Sequence, residues 1–141
     1  MSQVAIKLVI DVVGALESGS MIGNIFALDT NRRGGSQGNG TDALQTAVSR
    51  GTKITWMIAP LECEAFVSLD GIVAEKAVIE PLRQQFPGSS ISYWSGTVKR
   101  VPRPTSYDLV FTIGSFGKQM VHTARLGLIP TQMPSEKDEA Q

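Results

Sequence analysis

The sequence predicts an all-β domain built as an antiparallel β-sandwich, with at most one or two short helices. Seven to eight short segments carry the alternating apolar pattern and the β-branched residues that are typical of half-buried strands. Clusters of glycine, proline, asparagine and serine separate these segments, whereas an α/β domain would need clear amphipathic helices between its strands. We therefore expect one domain over residues 1–130 and a polar, disordered tail at 131–141.

The first half of the chain contains three strand candidates and one ambiguous segment. Segment 4–13 alternates and is rich in β-branched residues, which predicts a strand. The apolar residues on one of its faces are Ile6, Leu8, Ile10 and Val12. Segment 22–30 is the second strand, and the glycine-rich segment 31–42, NRRGGSQGNGTD, follows it as a loop. Segment 43–49 is compatible with a helix or a strand, and 53–59 alternates again.

The second half begins with an ambiguous stretch and ends in three clear strands. FVSL and GIVA look like two strands around a turn at Asp70-Gly71, while 73–85 is also compatible with a helix that Pro81 would interrupt. The last strand candidates lie at 91–101, 107–117 and 120–129. Short strands with frequent turns are typical of Greek-key sandwiches of the immunoglobulin-like or cupredoxin-like kind.

The charge balance limits the classes of partner. The 141 residues include 13 basic and 13 acidic side chains, so the formal net charge is zero. No basic excess can attract a phosphate backbone, so nucleic acid is not an expected partner. No apolar run of about 18 residues occurs, so no membrane span is expected. Near-zero net charge removes colloidal repulsion and favours association, which makes a homo-oligomer, most simply a dimer, the expected state.

The sequence shows no recognisable catalytic or metal-binding constellation. His122 is the only histidine, and without an identified nucleophile or orienting partner it is more typical of a structural residue than of a catalytic base. Cys63 is the only cysteine and lies between Glu62 and Glu64, whose charges disfavour the thiolate. One cysteine and one histidine also fall short of a zinc or blue-copper ligand set. We predict a cytoplasmic protein that is not an enzyme and has no cofactor or metal.

The glycine-rich loop does not fit the common phosphate or calcium motifs. A phosphate-binding loop would need Lys-Ser/Thr where Thr41-Asp42 stands. A dinucleotide fingerprint ending at Ala43 would have to follow its strand directly, and seven residues intervene between 31 and 37. An EF-hand loop would need an oxygen ligand at position 33, which is Arg33.

A looser binding site remains open at this loop. Oxygen-bearing side chains beside an aromatic face could hold a glycan, with or without calcium. The residues that could form this site are Asp29, Asn31, Asn39, Thr41, Asp42 and Trp56, with Trp94 as the alternative aromatic residue. The favoured interpretation is that glycine and asparagine supply positive φ angles in a long connection between strands.

Two segments, IKLVIDVVGAL and NIFALDTNRRGGSQGNGTDALQTAVSRGTKITW, resemble the AidA/PixA family of bacterial inclusion-body proteins. The resemblance covers roughly residues 6–58 and is looser beyond them, where SYDLVFTIG at 106–114 resembles the penultimate strand of the family. The aromatic-rich ending of that family is missing here. The matching residues are Ile10-Asp11, Asp29-Thr30, Gly35-Ser36-Gln37-Gly38, Gly40-Thr41-Asp42, Leu44, Gly51-Thr52 and Trp56.

The resemblance implies a β-sandwich in a bacterial cytoplasmic protein and brings no catalytic residues with it. The leading hypothesis is a non-enzymatic protein that acts by association with itself or with another macromolecule. The alternative is a carbohydrate-binding, lectin-like module that is possibly calcium-assisted. A hydrolase that uses His122 is the weakest hypothesis.

Overall fold

The computed structural model describes residues 3–131 and contains nine strands, one short α-helix and one 3-10 turn within that range. No helix among these residues is long and apolar enough to cross a lipid bilayer. In chain order the elements are β1 (Gln3–Ile10), α1 (Val12–Ser18), β2 (Ile25–Asp29), a 3-10 turn (Arg32–Gly34), β3 (Gln45–Val48), β4 (Lys53–Pro60), β5 (Val67–Val73), β6 (Leu82–Gln85), β7 (Ser92–Thr97), β8 (Thr105–Ile113) and β9 (Lys118–Pro130).

The strands form two sheets that enclose one core, which confirms the predicted all-β sandwich. The five-stranded sheet has the order β2-β1-β4-β7-β6, and the four-stranded sheet has the order β3-β9-β8-β5. Most neighbours are antiparallel as predicted, but β1–β4 and β3–β9 are parallel pairs. Parallel neighbours need a long crossover connection, and α1, β2 and β3 supply it between β1 and β4.

Alternation places the core between the sheets. On β1 the predicted inward residues Ile6, Leu8 and Ile10 are buried, while their neighbours face outward. On β8, the penultimate strand, Leu109, Phe111 and Ile113 are equally buried. At about 25 cal/mol per Å² of apolar surface removed from water, such rows of side chains supply most of the favourable free energy of folding.

The predicted first strand ends earlier than expected, at Ile10, because a helix begins after Asp11. The Asp11 carboxylate caps this helix by accepting a hydrogen bond from the Gly14 N–H at 2.9 Å. The Glu62 carboxylate accepts hydrogen bonds from the two amides before Gly14, those of Val12 at 2.9 Å and Val13 at 3.1 Å. These bonds satisfy donors that the start of a helix leaves unpaired.

Strand β5 is one continuous strand, so the turn predicted at Asp70-Gly71 is wrong. Its pairing with β8 shifts by one residue between Leu69 and Gly71, which makes Asp70 the extra residue of a β-bulge. The Asp70 carboxylate accepts hydrogen bonds from the hydroxyls of Ser68 and Thr112, so it is held within the sheet instead of at a hairpin tip.

The two ambiguous segments are resolved in favour of strands. Segment 43–49 contains β3, and the helix considered for 73–85 does not form; strand β6 occupies its end after Pro81. Proline removes a backbone donor and disfavours a helix before it. The predicted tail lies outside the described residues, apart from Thr131.

Candidate functional site

The glycine-rich loop 31–42 and the two residues after it join the two sheets along one side of the sandwich. We call residues 31–44 the strap. At the five-stranded sheet, Ala27 of β2 donates to the Thr41 carbonyl at 3.0 Å and accepts from the Gly40 N–H at 2.7 Å. At the four-stranded sheet, Gln37 and Gln45 exchange hydrogen bonds of 2.9 and 2.7 Å. The strap therefore occupies the outer edges of both β2 and β3.

Most of the predicted ligand-binding side chains stabilise the strap itself. Asn39 Oδ1 accepts from the Asp29 N–H at 2.7 Å, and Asp29 Oδ1 accepts from the Asn31 N–H at 2.9 Å. Asn31 Nδ2 donates to the carbonyl of Ala47 on β3 at 2.8 Å. The Thr41 hydroxyl donates to the carbonyl three residues before it at 2.7 Å. These residues are brought together as predicted, but their polar groups are directed at the backbone.

Trp56, the aromatic residue of the predicted site, is 1% exposed and has no face open to a sugar. Its Nε1–H donates to the Tyr107 hydroxyl at 3.2 Å, and the two rings meet edge to face. Burial raises the pKa of Tyr107, so its hydroxyl remains neutral. Asp29 Oδ2 and Asn39 Nδ2 are buried without a hydrogen-bond partner in the described part of the chain, so they too are shielded from a ligand in solution.

The backbone conformation of the strap requires glycine at two positions. Gly38 and Gly40 have φ angles of +83° and +86°, which side chains other than hydrogen strongly disfavour. A Cβ atom on Gly38 would also lie 3.0 Å from the Ala43 carbonyl oxygen. The expectation that glycine supplies positive φ angles in this loop agrees with these values. The same expectation for asparagine is wrong, since Asn31 has a φ of −119° and Asn39 is not among the residues with positive φ.

Asp42 connects the strap to two distant segments. Its carboxylate accepts from the Gly23 N–H at 2.6 Å and from the Arg125 guanidinium at 2.8 Å. Its backbone carbonyl lies 2.8 Å from Nε2 of His122. Because a carbonyl only accepts, this contact places a proton on Nε2. His122 is 2% exposed, and it is a packed residue beside the strap.

The carboxyl group of Asp42 is held in its charged form. Its partial burial would raise the pKa, but the hydrogen bonds from Arg125 and from the Gly23 N–H outweigh this effect. The pKa of Asp42 is consequently lowered from its ordinary value of 3.8. Asp42 was predicted as a ligand residue, and sequence alone gave no signal that Arg125 and His122 would contact it.

On the opposite side of the sandwich β6 is an edge strand, and no segment within residues 3–131 covers it as the strap covers β2 and β3. The Phe86 N–H donates to the Ile91 carbonyl at 3.0 Å where the β6–β7 hairpin begins to turn. Because hydrogen-bonding direction alternates along an antiparallel strand, the backbone groups of Arg83 and Gln85 point away from β7. Among residues 3–131 no strand pairs with that side of β6.

Apolar residues surround this edge. Leu82 on β6 and Ile91 in the adjoining turn are each 63% exposed. The ring of Phe86 packs on Tyr93 with 4.5 Å between centroids, which fixes the hairpin end. An unpaired backbone with exposed apolar side chains at its ends is a template for pairing with another chain.

The other edge strand on this side, β5, is better protected. Its bulge at Asp70 interrupts the regular backbone pattern, and the Leu69 carbonyl accepts from Nε1 of Trp94 at 3.0 Å. Bulges of this kind discourage pairing at an edge. The edge of β6 is therefore the better candidate for association on this side.

Over residues 3–131 no group of three or more histidine, cysteine, aspartate and glutamate side chains is placed to hold a metal ion. Cys63 is exposed on the surface. The single histidine donates to a backbone carbonyl and has neither a nucleophile nor an acid beside its other nitrogen within that range.

The fold is a two-sheet β-sandwich similar to that of an inclusion body protein, PixA, from Burkholderia cenocepacia J2315. The match between this chain and the crystal structure of that protein covers 92% of each chain, with 12% sequence identity and a TM-score of 0.66. This likeness confirms the predicted AidA/PixA resemblance at the level of the fold. A family model described as a domain of unknown function (DUF8788) matches residues 2–121, and the chain belongs to that family. No curated protein matches the sequence.

Proposed function

We propose that this protein is a non-enzymatic, cytoplasmic β-sandwich that acts by self-association through the unpaired edge of β6. The observation that carries the proposal is the asymmetry of the sandwich. The strap occupies the edges of β2 and β3, and a bulge with the Trp94 indole protects β5. The outward backbone groups of β6 have no partner in the described part of the chain.

The chemistry of the β6 edge is compatible with a second copy of the chain. Arg83 and Gln85 each direct one N–H and one C=O outward, and the strand is short. If two copies meet around a two-fold axis at Gln84, Arg83 of each copy lies opposite Gln85 of the other. Such an isologous contact exchanges about four backbone hydrogen bonds and joins the two five-stranded sheets into one.

Surface composition supports the same proposal. In this register Leu82 of each copy would lie opposite Phe86 of the other, which would cover part of both exposed side chains. Complete burial of such a side chain contributes about 1.5–3 kcal/mol, and partial burial contributes less. The formal net charge of zero leaves little long-range repulsion between copies. The structurally similar PixA is called an inclusion body protein, which is consistent with accumulation by association.

The test is the mass of the protein in solution with and without the outward amide of Gln85. Gln85→Pro removes this N–H while leaving the pairing of β6 with β7 intact, since the amide of residue 85 points away from β7. Gln85→Thr keeps the N–H and is the matched control. We expect a dimer for the unaltered chain and for Gln85→Thr, and a monomer for Gln85→Pro, by light scattering over a dilution series. A monodisperse monomer of the unaltered chain at high concentration would refute the proposal.

A further inference from the structure

A groove with a volume of about 390 Å³ runs between strand β9 and the turn after α1. The turn contributes Gly19, Ser20, Met21 and Ile22. Strand β9 contributes the consecutive residues 118–123 together with Arg125. Side chains of successive strand residues point to opposite faces of a sheet, so six consecutive residues can line one groove only along the strand's backbone edge.

This edge of β9 is the vacant continuation of the position that β3 occupies. Strand β3 pairs with β9 only from Gln45 opposite Gly127 to Val48 opposite Pro130. Earlier in β9, at 118–123, the described part of the chain provides no strand on that side. The groove therefore extends the line of β3 by about six residues, or roughly 20 Å at 3.3 Å per residue.

The direction of the backbone groups follows from the neighbouring strands. The Gly114 N–H donates to the carbonyl of Phe66 at 2.9 Å, so the backbone groups of Gly114 point toward β5. Because this direction alternates along a strand, the backbone N–H and C=O of Ile113 point the other way, toward Lys118 of β9. By the same alternation Gln119 and Val121 of β9 direct their N–H and C=O groups into the groove, and no residue within 3–131 accepts or donates to them there.

The charged side chains that line the groove within residues 3–131 are basic. Lys118 lies at one end and Arg125 at the other, and no aspartate or glutamate of that range is in the lining. Arg125 also binds Asp42, which offsets part of its charge. Between the two ends, His122 is 2% exposed and its Nδ1 is buried without a partner among the described residues.

We propose that this groove binds an extended acidic peptide segment of another protein, which adds to β9 as a strand beyond the N-terminal end of β3. Backbone hydrogen bonds to Gln119 and Val121 would supply affinity, and this mode needs no particular sequence along the main chain. Acidic side chains would face Lys118 and the outer part of Arg125, which supplies the preference for charge. The proposal is independent of the association through β6.

A pair of short synthetic peptides tests the proposal on the full chain. The probe is acetyl-Glu-Val-Glu-Val-Glu-amide, and the matched control replaces each glutamate by lysine. We expect the acidic peptide to bind at least tenfold more tightly, to shift the NMR signals of the Gln119 and Val121 amides and to slow their hydrogen exchange. Raising the salt concentration from 50 to 500 mM should weaken this binding by screening.

Two kinds of variant separate backbone pairing from charge. Val121→Pro removes an N–H that points into the groove and should abolish binding, whereas Val121→Thr keeps it and should bind as before. Lys118→Glu, at an exposed position, should reduce acidic-peptide binding without depending on how well Val121→Pro folds.

Several results would overturn the proposal. These are equal binding of both peptides, no binding of either at millimolar concentration, or signal shifts confined to β6. Protection of Gln119 and Val121 without peptide, increasing with protein concentration, would assign the groove to a second copy and would equally overturn it.

Discussion

Replacing Asp42 by alanine should destabilise the fold by removing the bonds that tie the strap to Arg125 of β9 and to the turn after α1. The variant loses the hydrogen bonds that the carboxylate accepts from the Gly23 N–H and from Arg125. The contact between His122 and the backbone carbonyl of residue 42 does not require the side chain. The expected loss therefore comes from two charge-assisted hydrogen bonds.

The size of the effect follows from exposure. The side chain of Arg125 is 41% exposed and that of Asp42 is 11% exposed. A partly solvated ion pair of this kind contributes about 0–1 kcal/mol, and a hydrogen bond from a backbone N–H to a carboxylate contributes about 1.5 kcal/mol or somewhat more. We expect Asp42→Ala to lower the free energy of unfolding by about 2 kcal/mol, and Arg125→Gln to lower it by less than about 1 kcal/mol.

The stabilisation by Asp42 should depend on pH, and its direction follows from the lowered pKa of the carboxyl group. Because the pKa of Asp42 in the folded state is lowered below 3.8, its stabilisation is fully present above the unfolded pKa and is lost as the pH falls through the folded pKa. Urea unfolding followed by circular dichroism should therefore show a large difference between the unaltered chain and Asp42→Ala at pH 7. The difference should shrink toward pH 2. An equal difference at both pH values, or none at pH 7, would refute this reasoning.

Three further variants test the core, the helix cap and the strap by the same urea titration. Tyr107→Phe should cost about 1–3 kcal/mol because it leaves the indole N–H of Trp56 buried without an acceptor; an unchanged midpoint would contradict this. Glu62→Gln should cost about 0.5–1 kcal/mol by weakening the interaction with the first amides of α1, and the loss should diminish in high salt. Gly38→Ala should cost about 1–2 kcal/mol, since φ is +83° and the added Cβ meets the Ala43 carbonyl, whereas a neutral result would mean that the strap adjusts freely.

The strands could be predicted from local patterns because each buries one face. The rows on β1 and β8 repeat every second residue, and this period survives in the structure. The choice of parallel or antiparallel neighbours could not be predicted in this way. It depends on which strands become adjacent after the strap and α1 have crossed the sandwich, and alternation along one strand carries no such information.

The helix and the bulge were missed because distant residues determine them. The strand-like alternation before Asp11 gives no indication that Glu62, about 50 residues further along the chain, will bind the first amides of α1. The Asp70-Gly71 pair is a common turn sequence, but the hydroxyl of Thr112 on the neighbouring strand keeps Asp70 inside β5.

The candidate site was predicted in part. Asp29, Asn31 and Asn39 do lie together, since the turn chemistry of these residues is local. Trp56 alternates like any inward strand residue, and its burial beside Tyr107 follows from packing that the pattern does not specify. The contact of His122 with Asp42 joins residues 80 positions apart, which no local signal could reveal.

The most direct test of association through β6 is the hydrogen-exchange rate of the Arg83 and Gln85 amides, measured at several protein concentrations. We predict that these two amides exchange more slowly as the concentration rises, because the second copy covers them, while the amide of Gln84, already bonded to β7, changes much less. Exchange of Arg83 and Gln85 that is fast and independent of concentration would contradict association through β6.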